Sequence, residues 1–237
     1  MRGRAFVGGT VMTVAAFLAA LLAGLFICAS SGELYMWAMG RAGVFESAGV
    51  DSGTLAIVAE DITQYIFERN PSAAFDRVIV MDGLERPELN DREKAHMLDV
   101  RRLLRLAGIA GGCLAVICAA AGVYSARINA KINARRATGC GMLAGTGATM
   151  LAALIVIMAI RADFYNFFVA LHKRLFTNDL WYMNPETDLL IRMMPSGFFL
   201  SMGMVVGAAT LVLVLVILPV GLWLVLSNGR REARRAV

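Results

Sequence analysis

Four apolar runs constrain this chain more than anything else in it: Ala5–Ala29, Leu103–Tyr124, Gly139–Ile160 and Phe198–Leu226. Each reaches the roughly 20 residues that a helix rising 1.5 Å per residue needs to cross a bilayer core. With 58 % hydrophobic residues among 237, the chain reads as an all-α membrane protein with four transmembrane helices. None of the runs holds an acidic residue, and the one basic residue, Arg105, lies near enough to an end to snorkel outward. Intramembrane charges mark ion and proton paths, so their absence weighs against a pump, a charge-gated channel or an aspartyl membrane protease. A zinc membrane protease is disfavoured because no His-Glu-x-x-His occurs.

Charge sets the expected orientation. Arg2 and Arg4, then Arg127, Lys131, Arg135 and Arg136, then Arg230, Arg231, Arg234 and Arg235 fall on one side of the four spans, against a single acid, Glu232. The whole chain carries only +5, so the remaining segments are net acidic. The positive-inside rule then puts both termini in the cytoplasm and a mainly helical cap outside. The basic balance follows from this topology and is no nucleic-acid footprint, although the basic tail suits anionic headgroups. The expected layout is a first transmembrane helix over 1–29 and a cap segment over 30–102. Helices two and three with a basic loop follow over 103–160, then a second cap segment over 161–197, then helix four and a basic tail over 198–237.

The first run resembles a signal peptide in outline, but its apolar stretch exceeds the usual 7–15-residue core, so it is expected to remain as an anchor. Cys28, Cys113, Cys118 and Cys140 all lie within or at the ends of spans, which implies packing thiols and no disulfide framework in the cap. Gly141-x-x-x-Gly145 and Gly203-x-x-x-Gly207 predict close helix packing in spans three and four, and Pro219 predicts a kink.

Within the first cap segment, Tyr35 and Trp37 suit the membrane interface, and Gly40–Gly53 reads as a loop. Thr54–Arg69 predicts a helix burying Leu55, Val58, Ile62, Tyr65 and Ile66, stopped by Asn70-Pro71. Phe75–Met81 is short enough to be ambiguous, although Val78-Ile79-Val80 suits a strand, and Asp82-Gly83 is a turn. Asn90-Asp-Arg-Glu93 is a capping-box start to a helix that continues into span two. His96 then sits about 10 Å before the apolar run. Glu93 and Asp99 lie three residues to either side of it, and carboxylates so close favour an imidazolium, opposed by Arg92.

The second cap segment holds the other histidine, His172, among Phe164, Tyr165, Phe167, Phe168, Phe176, Trp181 and Tyr182. An interfacial belt would explain the aromatics but not the interleaved His172, Asn178, Asp179, Asn184, Asp188 and Arg192. Phe164, Phe167, Phe168, Leu171 and Leu175 recur at helical spacing and predict a buried face, with His172 at its edge. Asn184-Pro185 predicts the N-cap of a short second helix carrying an i,i+4 pair, Asp188 and Arg192. A lone exposed histidine is more often structural than catalytic. Here there are two, both in the cap and both on helices adjoining spans. No third ligand stands at metal-motif spacing, and no Gly-x-Ser-x-Gly elbow is present. From the residues alone, the cap is an acid–base site, a partner-binding surface, or the site of a metal-dependent hydrolase.

Two segments carry a family resemblance. One is Arg92-Glu-Lys-Ala-His96-Met-Leu-Asp99-Val-Arg101. The other runs from His172 through Phe176-Thr-Asn178-Asp179-Leu-Trp181 and Asn184-Pro-Glu-Thr-Asp188-Leu-Leu-Ile191 to Pro195 and Phe198-Phe199. Together they resemble the bacterial integral membrane family that includes the lipoprotein intramolecular transacylase. The resemblance implies an enzyme of the bacterial cytoplasmic membrane that acts on diacylated lipoproteins among membrane lipid and needs no cofactor or metal. It would move the sn-2 acyl chain of an S-diacylglyceryl-cysteine to that cysteine's own amine. His96 and His172 would be the catalytic pair, with His96 taken as base and His172 as acid. Tyr165, Phe168 and Trp181 would confine the glyceryl group, and Asp99, Asn178, Asp179, Asp188 and Arg192 would orient the site.

The charge asymmetry makes a direct prediction. Cysteine probes placed within Arg127–Arg136 or after Ser227 should be shielded from a membrane-impermeant label in intact cells, and probes near Glu85 or Glu186 should react. Labelling in the opposite sense would invert the orientation.

Overall fold

A computed structural model describes residues 2–67, 75–131 and 134–235. The elements in chain order are α1 Arg2–Ala29, α2 Gly32–Arg41, α3 Val44–Ser47, α4 Ser52–Phe67, β1 Val78–Met81, β2 Leu84–Pro87, α5 Asp91–Lys131, α6 Arg135–Ala162, α7 Phe164–Leu175, α8 Leu189–Met193 and α9 Ser196–Arg235. Four of them, α1, α5, α6 and α9, are long and apolar enough to cross a membrane. The chain divides into two compact units, one of 1–23, 108–161 and 207–237, the other of 24–107 and 162–206.

The first unit is built from the apolar helices. Leucine, isoleucine and valine point outward along them, for example Ile109 at 67 % and Val116 at 69 % exposure, as lipid-facing side chains should. α1 and α6 meet backbone to backbone. A Cβ on Gly141 would stand 2.0 Å from the Phe6 carbonyl oxygen, and one on Gly9 would stand 2.3 Å from that of Thr138. Thr10 Oγ1 donates to the Gly141 carbonyl at 3.1 Å. The Gly141/Gly145 spacing therefore acts as the sequence implies, with Gly9 as its unforeseen partner. Gly203 and Gly207 do not: among the described residues nothing lies within 4 Å of a Cβ at either. On α9 the close approach falls instead at Gly221, whose carbonyl oxygen would be 2.7 Å from a Cβ on Gly139.

The second unit has its own core, gathered around Tyr35, Met39, Leu55, Ile62, Leu89, Leu189, Met193 and Phe198. α2 carries the Tyr35 and Trp37 stretch, and the short α3 falls inside the expected loop Gly40–Gly53; Ser31 caps α2 by accepting from the Leu34 N–H at 3.2 Å. Tyr35 is not interfacial: it is buried, with its ring 5.3 Å from that of Phe198. α4 buries Leu55, Val58, Ile62, Tyr65 and Ile66 along one face, as its periodicity predicts. The expected stop at Asn70-Pro71 lies outside the described residues. β1 and β2 add a hairpin to a cap otherwise helical, paired from Val78↔Pro87 to Met81↔Leu84. Its two-residue turn needs left-handed backbone at Asp82 (φ 54°) and Gly83 (φ 80°), the residues best suited to it. Gly49 is constrained from outside: φ is 72°, and a Cβ would stand 2.0 Å from Asp82 Oδ1.

Replacing Gly141 by Ala should lower the melting temperature of the purified protein, at a cost of about 1–3 kcal/mol for forcing packed backbones apart. Gly203→Ala should be neutral or slightly stabilising, because Ala is the better helix former and has room. Thermal unfolding in detergent of the two variants side by side checks the contrast.

Candidate active site

The site begins with a helix start. Asn90 Oδ1 accepts from the Glu93 N–H at 2.9 Å, and Glu93 Oε2 accepts from the Asn90 N–H at 2.8 Å. This reciprocal box satisfies two donors that the first turn of α5 would otherwise leave unpaired. Glu93 is fully buried and reaches further: its Oε1 accepts from the Leu190 N–H at 2.8 Å, and its Oε2 pairs with Arg86 at 3.1 Å. Those bonds fix where α5 leaves the hairpin, and so where the next turn presents His96. At 41 residues α5 is about 60 Å long, twice a bilayer core. Its apolar run starts at Leu103, so Glu93 and His96 precede the membrane span.

His172 comes from α7. Asp163 caps that helix, accepting from the Asn166 N–H at 2.9 Å. Phe164, Phe168 and His172 then fall on one stripe, four residues apart. His172 Nδ1 lies 2.8 Å from the Phe168 carbonyl oxygen. A carbonyl can only accept, so the proton of the neutral ring is on Nδ1 and Nε2 keeps its lone pair. The helix ends at Phe176, whose N–H donates to the His172 carbonyl at 2.8 Å.

The two imidazoles face each other with ring centroids 6.4 Å apart. Aromatic rings surround them: Phe168 is 3.8 Å from His172, Trp181 is 5.2 Å from it, and Phe176 packs on both histidines at 5.2 and 5.6 Å. Burial decides their charge. Desolvation, helped by the neighbouring His172 and opposed by Asp99, lowers the His96 pKa from 6.5 to about 4. Burial also lowers that of His172, against the contribution of its bond to Phe168. The imidazolium expected from the flanking carboxylates is thus reversed. Glu93 turns away into its own hydrogen bonds, and desolvation outweighs Asp99. Both rings are neutral at physiological pH.

Most of the sequence-derived residues converge here. Asn178 Nδ2 donates to Asp99 Oδ2 at 2.8 Å, tying the loop after α7 to the helix of His96. Arg92 reinforces this by donating to the Asp179 carbonyl. Tyr165, Asp179 and Trp181 line a cavity of about 380 Å³ together with Val169, Lys173 and Tyr182. Asp188 and Arg192 do not join them, and the pair between them does not form. Helix α8 starts only at Leu189, with Asp188 in extended backbone as its N-cap, while Asn184 shapes the preceding turn by accepting from the Glu186 N–H. Asp188 accepts from Asn90 Nδ2 and the Asn184 N–H, both at 2.8 Å. Arg192 reaches Asp82 at 2.8 Å and the Ala48 carbonyl at 3.1 Å. The buried face expected of α7 is only half-buried, and Leu171 and Leu175 are exposed at 41 % and 44 %. Phe176 and Glu93 are the residues that sequence reasoning left out of the site. The capping-box pattern already flagged Glu93, but for a helix start alone. Among the described residues, no three His, Cys, Asp or Glu side chains are grouped to hold a metal ion.

A family model described as lipoprotein intramolecular transacylase Lit matches residues 10–199. The chain belongs to this family. The transacylase fold is also seen in the solved structures it resembles. The in meso structure of the membrane integral lipoprotein intramolecular transacylase Lit from Bacillus cereus is similar over 99 % of this chain and 97 % of that one, at 20 % identity and a TM-score of 0.63. A histidine-to-arginine variant of the same protein matches over 99 % and 93 %, at 19 % identity and 0.61. A histidine-to-alanine variant gives 96 % and 94 %, at 19 % identity and 0.54. No curated protein matches the sequence.

The depressed pKa of His96 has a thermodynamic consequence. Between pH 6.5 and about 4 the unfolded chain binds a proton at this residue that the folded one refuses, so the stability it contributes rises with pH across that window and falls as the protein is acidified. The melting temperature should drop less between pH 6.5 and 4 in His96→Gln than in the parent chain. Parallel curves would show that the native ring titrates normally.

Proposed function

We propose that His172 and His96 pass a single proton during acyl transfer within one lipoprotein molecule. The chain is an intramolecular transacylase, and its family acts on lipoproteins. The substrate carries both reactants, the free α-amine of its lipid-modified cysteine and the sn-2 ester of its diacylglyceryl group. As the amine attacks, an N–C bond forms to the acyl carbon. The C–O bond to the glyceryl oxygen breaks, and the proton leaving nitrogen ends on that oxygen. No water is consumed, and no acyl group is held by the enzyme. Folding the substrate back on itself contributes up to ~7–11 kcal/mol, and general acid–base catalysis a further ~10²- to 10⁴-fold.

The observation that carries this reading is the facing pair of neutral imidazoles, one with its tautomer fixed. With Nδ1–H given to the Phe168 carbonyl, His172 offers a lone pair at Nε2 and is suited to be the base. That favours the reverse of the order expected from the sequence, with His96 facing the leaving oxygen. Each ring penalises a charge on the other, so the pair holds one proton at a time and returns it before turnover ends. The surrounding aromatics keep water from the ester, which it would otherwise hydrolyse. Asp99, Asn178 and Asp179 orient the two helices that carry the rings, and Tyr165, Phe168 and Trp181 bound the glyceryl group.

The same reading puts segments 30–102 and 161–197 on the extracytoplasmic side of a bacterial cytoplasmic membrane, as a cap, and both termini inside. Its support is the concentration of Arg and Lys at 2–4, 127–136 and 230–235.

Expressing the chain should convert S-diacylglyceryl lipoproteins into N-acyl-S-monoacylglyceryl ones of equal mass, read by mass spectrometry of N-terminal peptides. His96→Gln and His172→Gln should each reduce conversion at least ~100-fold. The rate should climb with deprotonation of the substrate amine, near pH 8, with no further step at 6.5 because both histidines already lie below it. Full conversion by the double histidine variant would sink the proton-relay assignment.

A further inference from the structure

The transfer builds negative charge on the oxygen of the ester carbonyl, and the proton relay assigned to the two histidines supplies no donor to it. A donor already in place in a water-poor site is usually the largest contribution to such reactions. Most donors near the rings are already engaged or stand in solvent. Asn178 gives its amide to Asp99. Arg92 donates to the Asp179 carbonyl, and Arg102 reaches Asp99 at 3.5 Å. Tyr165 and Tyr182 are 61 % and 60 % exposed and stand in solvent. Lys173 borders the cavity but stands in solvent.

Trp181 is different. Its side chain is 5 % exposed, its ring is 5.2 Å from His172, and its Nε1 is buried with no hydrogen-bond partner among the described residues. An unpaired buried N–H costs about 1–3 kcal/mol, and buried indoles ordinarily find an acceptor. Phenylalanine would supply much of the same apolar contact without that cost. Trp181 also lines the cavity of about 380 Å³, so one side chain borders both the histidines and a space able to receive a substrate group. We propose that the Trp181 Nε1–H is the oxyanion donor: it hydrogen-bonds the ester carbonyl oxygen as the acyl carbon becomes tetrahedral and gives it up as the amide forms. The inference rests on the transacylase reading of the site. A neutral donor suits a site that carries one mobile proton, because it stabilises the oxyanion without competing for that proton. No bond of the indole is made or broken.

The test uses the purified full-length protein and a synthetic S-diacylglyceryl-cysteine lipopeptide. Trp181→β-(3-benzothienyl)alanine keeps the bicyclic shape and removes only the N–H, and Trp181→Phe removes it more crudely. The benzothienyl variant should lose about 100- to 1,000-fold in kcat with KM little changed. Its melting temperature should equal or exceed the parent's, because an orphan donor has gone. An unchanged kcat would overturn the assignment, as would a loss confined to KM or a loss of kcat matched by a fall in melting temperature. An inert parent chain would instead remove the transacylase reading itself, and a parent that turns over while His172→Gln does not keeps the two questions apart.

Discussion

The cap depends on one buried carboxylate. Glu93 has no exposed surface, yet it accepts from the Asn90 N–H, the Leu190 N–H and Arg86. A carboxylate without water is tolerated only when its lone pairs are filled, and removing one partner of such a pair typically costs ~3–5 kcal/mol. Through these three bonds it joins β2, the first turn of α5 and the first residues of α8. Asp188 repeats the link by accepting from Asn90 Nδ2. His96 is three residues after Glu93 on the same helix, so the imidazole inherits its position from an anchor whose oxygens are held by Asn90, Leu190 and Arg86.

The opposite wall is set by a different kind of interaction. His172 is oriented by the carbonyl one turn before it and by the rings of Phe168, Phe176 and Trp181. Those rings desolvate both histidines. Desolvation, more than any local charge, keeps them neutral. Neutral imidazoles accept protons at once, and a second protonation is penalised by the first. A pair built this way suits a reaction that takes one proton from nitrogen and returns one to oxygen.

Much of this was legible in the sequence. The four apolar runs are each contained in a long helix, and the turn Asp82-Gly83 forms as its residues demand. The capping box at Asn90 and Glu93 forms as its spacing implies, and His96 and His172 meet. The misreadings share a cause. The Gly203/Gly207 spacing looks the same as that of Gly141/Gly145, but only the latter faces another backbone. The i,i+4 spacing of Asp188 and Arg192 counts only if a helix begins before Asp188, and it begins after. Tyr35 has an interfacial residue's chemistry and a core residue's surroundings.

The sequence alone determined what depends on neighbours in the chain: which long segments are helical, where α5 begins, and which residue types stand beside each histidine. Tertiary structure decided what depends on distant partners. Asn178 meets Asp99 across 79 residues, and Leu190 meets Glu93 across 97. Those pairings bring the imidazoles to 6.4 Å, bury them, and reverse the charge that the nearby carboxylates suggested. Periodicity tells which face of a helix is apolar. It does not tell what that face meets, and desolvation is a property of the meeting.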